Sequence, residues 1–296
     1  MKSPKNISAS VRQRLFNLSK IDKRPFNEIL QYYAMERFLY RLSQSGHADR
    51  FILKGALMLR VWQSHEFRPT MDIDMLGRTG NEKNNITAQI REIIAVMIIP
   101  DGLVFDPDTI QSGRIAEDAE YEGIRVRFRG SLGAARINMQ IDIGFGDIVY
   151  PEPEKTVFPT LIDSPAPLLY CYSRESTIAE KLEAMVKLGH LNSRMKDFYD
   201  IWLLSRQFRF ERTELAKAIR LTFEQRGTYL SLPVDGLSAE FINSKQSLWA
   251  AFRKRLKQEH VPTSFLDIVT EVKAFLTPVF EEKTVVTIWE PGGIWS

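Results

Sequence analysis

Cysteine is nearly absent from this chain of 296 residues, and Cys171 stands alone. That excludes a disulfide within one chain, and no Cys/His cluster has the spacing of a zinc site. The four histidines, His47, His65, His190 and His260, are scattered, which argues against a catalytic histidine dyad. Long apolar runs are missing too: the longest, Ile93 to Ile99, falls far short of the roughly twenty residues a bilayer requires. The amino terminus, Met1-Lys2-Ser3-Pro4-Lys5, leads into no apolar signal segment, so the expectation is a cytoplasmic protein in a reducing compartment with no membrane partner. Neither sign of charge dominates. With 40 basic and 37 acidic residues the net charge is +3, which permits a polyanionic partner without demanding one. What is present is an ordinary globular balance, 44% apolar and 26% charged, in a chain long enough for a substantial core.

The pattern along the chain implies an α+β protein. Helical periodicity covers Ser8 to Ser19 and Asn27 to Ser43, where Ile29, Leu30, Tyr33, Met35 and Phe38 recur near a 3.6-residue period, with Gly46 as the stop. From Phe51 short strands take over, broken by a helix over Glu82 to Met97 and a turn at Asp101-Gly102. Strict alternation marks Gly123 to Arg129 and Arg136 to Ile143, and Gly130-Ser131-Leu132-Gly133 is expected to join them as an antiparallel pair. Each strand has one apolar face, as in a sheet covered by helices on one side. Pro151 to Pro167, with five prolines, reads as an ordered loop. Beyond it helices are expected at Glu175 to Leu188, Arg194 to Gln207, Glu211 to Gln225, Ser247 to Glu259 and Ser264 to Phe275, and a β-like run from Val285 to Trp289 in the tail that starts at Thr284.

The most informative run is Thr70-Met71-Asp72-Ile73-Asp74-Met75. On an extended strand Asp72 and Asp74 share a face while Met71, Ile73 and Met75 point away. Two carboxylates so placed resist burial unless a cation neutralises them, and the cation inferred is Mg²⁺. Two ions about 4 Å apart would need a third acid. Asp142, on the polar face of its strand, is the candidate if that strand lies antiparallel to the first; Asp147 is its equal as an end-of-strand acid.

Lys181 lies on the apolar stripe of its helix, between Ile178 and Met185, and an inward ammonium needs an anion such as a nucleoside triphosphate. Asp197 repeats this in the next helix, with Ile201 and Leu204 behind it, so the two also fit a plain structural ion pair. Gly55, after the strand-like Phe51-Ile52-Leu53, opens a helical segment from Ala56 to Trp62, where backbone N–H groups can approach phosphate.

Taken together, Lys54-Gly55-Ala56, Arg68-Pro69-Thr70-Met71-Asp72-Ile73-Asp74, Gln140-Ile141-Asp142-Ile143-Gly144, Ala179-Glu180-Lys181-Leu182 and Arg194-Met195-Lys196-Asp197-Phe198-Tyr199-Asp200 resemble the AbiEii/MenT-type nucleotidyltransferase toxins of the DNA-polymerase-β-like superfamily. The resemblance implies a polymerase-β-like palm, a mixed sheet with helices on one face, at 49–167. N-terminal helices at 1–48 would pack on it, and a C-terminal helical domain with a short tail would span 168–296. It also implies Mg²⁺ as cofactor and an NTP as co-substrate. Asp72 and Asp74 would be metal ligands, Gly55 and Thr70 nucleotide contacts, Lys181 a triphosphate contact and Asp197 an active-site acid. The implied acceptor is an RNA 3′ end, typically that of tRNA, and the implied setting a toxin–antitoxin or phage-defence module with an antitoxin protein as partner. Ala56 departs from the second Gly or Ser usual in the superfamily, and the interval from Gly55 to Asp72 is longer than usual.

Other readings stay open at this level. The alternatives are an enzyme that modifies a protein partner and a silent binding module that keeps the fold. A phosphatase-type aspartate fits poorly, because Met75 and Leu76 supply no small hydroxylic residue. Arg125, Arg127 and Arg129 on one strand face, and Arg253, Lys254, Arg255 and Lys257 on a later helix, are either RNA contacts or solvated surface charge. Trp289 and Trp295 in the tail read first as docking residues.

Overall fold

The computed structural model describes residues 6–64, 68–115, 123–281 and 285–296. Met1 to Lys5, His65 and Thr284 lie outside the described residues. The chain divides into two compact units, Met1–Gly146 with Glu154–Cys171, and Asp147–Pro153 with Tyr172–Ser296.

The first unit opens with α1 (Ile7–Ile21), capped by the Asn6 side chain accepting from the Ala9 N–H at 3.0 Å, and α2 (Phe26–Ser43). A strand β1 (Phe51–Lys54) leads through a 3₁₀ turn (Gly55–Leu57) into the four-residue α3 (Met58–Val61). Then come β2 (Ile73–Gly77), α4 (Lys83–Ile94), β3 (Leu103–Arg114), β4 (Gly123–Leu132), β5 (Ala135–Phe145), β6 (Glu154–Val157) and β7 (Leu168–Cys171). The strands form one mixed sheet in the order β3-β4-β5-β2-β1-β7-β6. Its β2–β5 and β1–β7 pairs are parallel and its other pairs antiparallel. Helix α2 packs on β5 and β7, and Phe38 meets Phe105 and Phe128 at ring distances of 6.3 and 5.8 Å. Val126, Phe128, Met139 and Ile141 are buried on that face, while Arg127, Arg129, Arg136 and Asn138 are exposed on the other.

Several sequence expectations are corrected in this unit. Asp72 sits in a bend just before β2, and β2 and β5 run parallel, because α4 and the β3–β4 pair return the chain in the original direction. The β4–β5 turn lies at Gly133-Ala134, with Gly133 at φ +60°, while Gly130 is a strand residue facing the Phe105 ring. The unexpected β3 is an edge strand whose alternation is hidden by Asp106-Pro107-Asp108, where the ladder shifts register. The proline-rich segment holds β6, the opposite edge, where missing ladder donors are tolerated.

The second unit is mainly helical: α5 (Arg174–Leu188), α6 (Met195–Gln207), α7 (Arg212–Arg226), α8 (Ala239–Leu256) and α9 (Phe265–Leu276). A small sheet joins β8 (Phe210–Glu211), β9 (Ile288–Glu290) and β10 (Ile294–Trp295). Ser173, Ser238 and Ser264 cap α5, α8 and α9 through their side chains. Helix α8 starts well before Ser247 because Ser238 nucleates it ahead of a polar stretch that masks the apolar period. Phe198, Phe241, Phe265 and Trp249 form its centre. Trp289 and Trp295 dock at the tail, their indole N–H groups donating to the Ser205 and Phe275 carbonyls at 2.6 and 3.0 Å. No helix among the described residues is long and apolar enough to cross a membrane.

Candidate active site

Strand pairing builds the site in the first unit. β1 and β2 place Lys54 opposite Asp74, and β2 and β5 place Asp74 beside Asp142. Gly55 follows at φ +74°, and a Cβ there would lie 2.0 Å from the Asp74 Oδ2, so only glycine admits this carboxylate. The helix expected over Ala56 to Trp62 is a 3₁₀ turn and four α residues, too short to supply much aligned dipole.

Asp72 is placed by the bend before β2. The Thr70 hydroxyl donates to Asp72 Oδ1, and the Thr70 N–H donates to the Tyr32 hydroxyl at 3.2 Å. Gln31 donates to the carbonyls of Met71 and Asn138 at 3.2 and 3.1 Å, so α2 ties this bend to β5. One carboxylate oxygen from each of Asp72, Asp74 and Asp142 lies within 4.8 Å of the others, and all three residues are half-buried. Carboxylates this close repel one another and favour a bound cation. An all-oxygen donor set of this kind matches a hard divalent ion such as Mg²⁺.

Asp142 has a partner already. Arg125, directly across the β4–β5 ladder, donates from Nε to Oδ1 at 2.8 Å and from Nη2 to Oδ2 at 2.7 Å. Gln140 adds a longer contact to Oδ2 at 3.3 Å. Asp147 does not join the triad: it belongs to the second unit, where Arg226 holds it at 2.9 Å.

The second unit holds Lys181 and Asp197. Lys181 on α5 donates to Asp197 at 3.0 Å and to Asp200 at 2.7 Å, both on α6, and Arg194 reaches Asp197 at 2.7 Å. Burial pushes the Asp197 carboxyl up, but the charges of Lys181 and Arg194 reverse this and hold it at about 2. Lys181 and Arg194 thus face the two carboxylates of Asp197 and Asp200. The structural ion pair foreseen from sequence is therefore present, with Asp200 as an added acid.

A family model, the nucleotidyl transferase AbiEii toxin of type IV toxin–antitoxin systems, matches residues 37–275. The chain belongs to the AbiEii nucleotidyltransferase toxin family. It is accordingly an NTP-dependent nucleotidyltransferase with a mixed sheet and a helical second unit. The type IV class associates AbiEii toxins with an antitoxin. The matched span contains Gly55, Thr70, the three acids of the first unit, Lys181 and Asp197. The crystal structure of JHP933 from Helicobacter pylori is similar at 14% identity and TM-score 0.49, covering 85% of this chain and 91% of that one. A candidate nucleotidyltransferase from H. pylori is similar at 13% identity and TM-score 0.46, with 86% and 98% covered. No curated protein sequence matches the chain significantly.

Sequence reasoning missed Gln31, Tyr32, Asp200 and the true role of Arg125. Asp200 carried a usable signal, since it stands at i+3 from Asp197 and so on the same helix face.

Proposed function

We propose that this AbiEii-family enzyme transfers a nucleoside monophosphate from an NTP to an RNA 3′ end, the acceptor end of tRNA, with Mg²⁺ as cofactor. The observation that carries the reading is the convergence of the Asp72, Asp74 and Asp142 carboxylates in the sheet unit. The catalytic palm is assigned to 49–167, with 1–48 packed on it and 168–296 as the helical domain. Acting on tRNA in the cytoplasm, the enzyme would be a toxin that stops translation, restrained by its antitoxin and suited to phage defence.

Asp72, Asp74 and Asp142 would hold the metal, which when bound activates the attacking hydroxyl and offsets charge on the departing pyrophosphate. The reaction forms one bond between the RNA 3′ oxygen and the α-phosphorus, breaks the bond from the α-phosphorus to the bridging oxygen so that pyrophosphate leaves, and releases the proton of the hydroxyl to water. Asp72 and Asp74 fix the reacting groups in line, and Thr70 keeps Asp72 oriented. Gly55 and Thr70 contact the nucleotide. Lys181 is assigned to the triphosphate, with Asp197 as the acid that orients it.

Incubating the protein with each α-labelled NTP in turn, with a tRNA pool and separately with partner protein, tests this. Label in RNA that depends on Mg²⁺ and disappears in Asp72→Ala and Asp74→Ala is expected. Label on protein alone, or transfer that survives Asp72→Ala, contradicts it.

A further inference from the structure

The acids of the site are one end of a polar row on the open face of the sheet. From Asp142 the β4–β5 ladder continues with Arg127 opposite Gln140, Arg129 opposite Asn138 and Ser131 opposite Arg136. The Arg127 Nε donates to Gln140 at 3.0 Å, and Gln140 contacts Asp142, so the row is linked to the site by hydrogen bonds. Beside it lies a groove of about 940 Å³ that begins at Met71 and Asp72 and is lined by Arg127, Arg129, Arg136 and Asn138. The three arginines and Asn138 are exposed, as is Met71 at the mouth, at 55%. Asp108 is an acid on the same wall, and Arg91 stands 3.9 Å from it.

We infer that this groove is the path of the acceptor: an unpaired RNA 3′ tail of a few nucleotides lies along the β4–β5 hairpin with its terminal hydroxyl at Asp72. The inference rests on the nucleotide-transfer reading and adds the route by which RNA reaches the site.

Charge and dimensions both favour it. Alternate strand residues stand about 7 Å apart, so Arg127 and Arg129 present guanidinium groups at intervals comparable to successive phosphates of an extended strand. From Asp142 to Arg136 the row runs about 20 Å, the reach of a short tail, and the groove has the volume of a ligand cleft. Unpaired bases are read by amide side chains, whose paired donor and acceptor suit base edges, and Asn138 and Asn27 are exposed in the groove. The Met71 side chain offers an apolar surface to the last base next to the acids.

The test uses the double variant Arg129→Glu/Arg136→Glu, both exposed, against the matched control Lys254→Glu/Arg255→Glu on α8. The groove variant should raise the KM for RNA at least tenfold and leave the KM for NTP unchanged. Its log–log salt dependence of RNA binding should be shallower by about 1.4, the value for two lost single-strand phosphate contacts. The control should change neither. An unchanged KM for RNA in the groove variant, or an equal loss in the control, overturns the inference. If instead wild-type protein labels no RNA, the transfer reading itself fails, a result the variants do not enter.

Discussion

Replacing Arg125 by glutamine separates its structural from its functional effect. In the wild-type chain the guanidinium forks both oxygens of Asp142, with side chains 25% and 14% exposed. Charge-assisted hydrogen bonds contribute about 1.5–3 kcal/mol each when well shielded. Solvent at this partly open position reduces the net to about 1 kcal/mol. The metal-free Arg125→Gln protein should lose about that much stability, because Asp142 then faces Asp72 and Asp74 without its cation. Toward a divalent ion the sign reverses. A metal bound by Asp142 must share that carboxylate with a fixed positive charge, so Arg125→Gln should bind Mn²⁺ more tightly by about 1 kcal/mol, or roughly fivefold. Free Mn²⁺ followed by electron paramagnetic resonance in a nucleotide-free titration measures this directly. Asp142→Asn should weaken binding in the same assay. Arg125→Lys should fall between wild type and Arg125→Gln, since an ammonium keeps the charge without the fork. Equal or weaker Mn²⁺ binding by Arg125→Gln refutes the argument that Arg125 and metal compete for Asp142.

Gly55→Ala should displace the Asp74 carboxylate, because the new Cβ falls on Oδ2 and φ is +74°; a stability loss of about 1–3 kcal/mol and at least tenfold weaker Mn²⁺ binding are expected, read by urea unfolding and the same titration. Lys181→Met leaves two acids of α6 without their shared ammonium and should cost about 3–5 kcal/mol, whereas intact stability would place the cluster outside the fold's energetics. Asp197, at about 2 when folded against 3.8 ordinarily, contributes about 2 kcal/mol that is fully present above pH 4 and lost as pH falls toward 2; urea unfolding across that window should show the decline. Cys171 is buried, which pushes its thiol up to about 12, so thiol reagents should react with it only after unfolding.

The parts of the site legible in the sequence are those where chemistry is local. Asp72 and Asp74 are two residues apart, and Asp142 alternates with apolar neighbours, so each reads as a polar group on a buried scaffold. What periodicity does not carry is direction and register. The parallel pairing of β2 with β5 follows from the intervening α4, β3 and β4, and β3 itself is obscured because an edge strand need bury little. Gln31 and Tyr32 are hidden for the opposite reason: α2 is buried on nearly every side, so no polar face marks which of its residues reach the bend at Thr70 and Met71. Arg125 turns on a single detail, the position of one turn. A loop of Gly130 to Gly133 would set Arg125 opposite Asn138 and leave it on a solvated face. The observed two-residue turn at Gly133-Ala134 moves the pairing four residues along β5 and sets Arg125 opposite Asp142. Glycine at φ +60° makes that tight turn accessible, and through it the hairpin decides whether the third acid has a cationic neighbour. Inserting two residues between Gly133 and Ala134 tests this without touching the site. If the turn sets the register, the insertion should relax the Arg125–Asp142 pair and tighten Mn²⁺ binding as Arg125→Gln does; unchanged affinity would mean that the strands hold their register by side-chain packing alone.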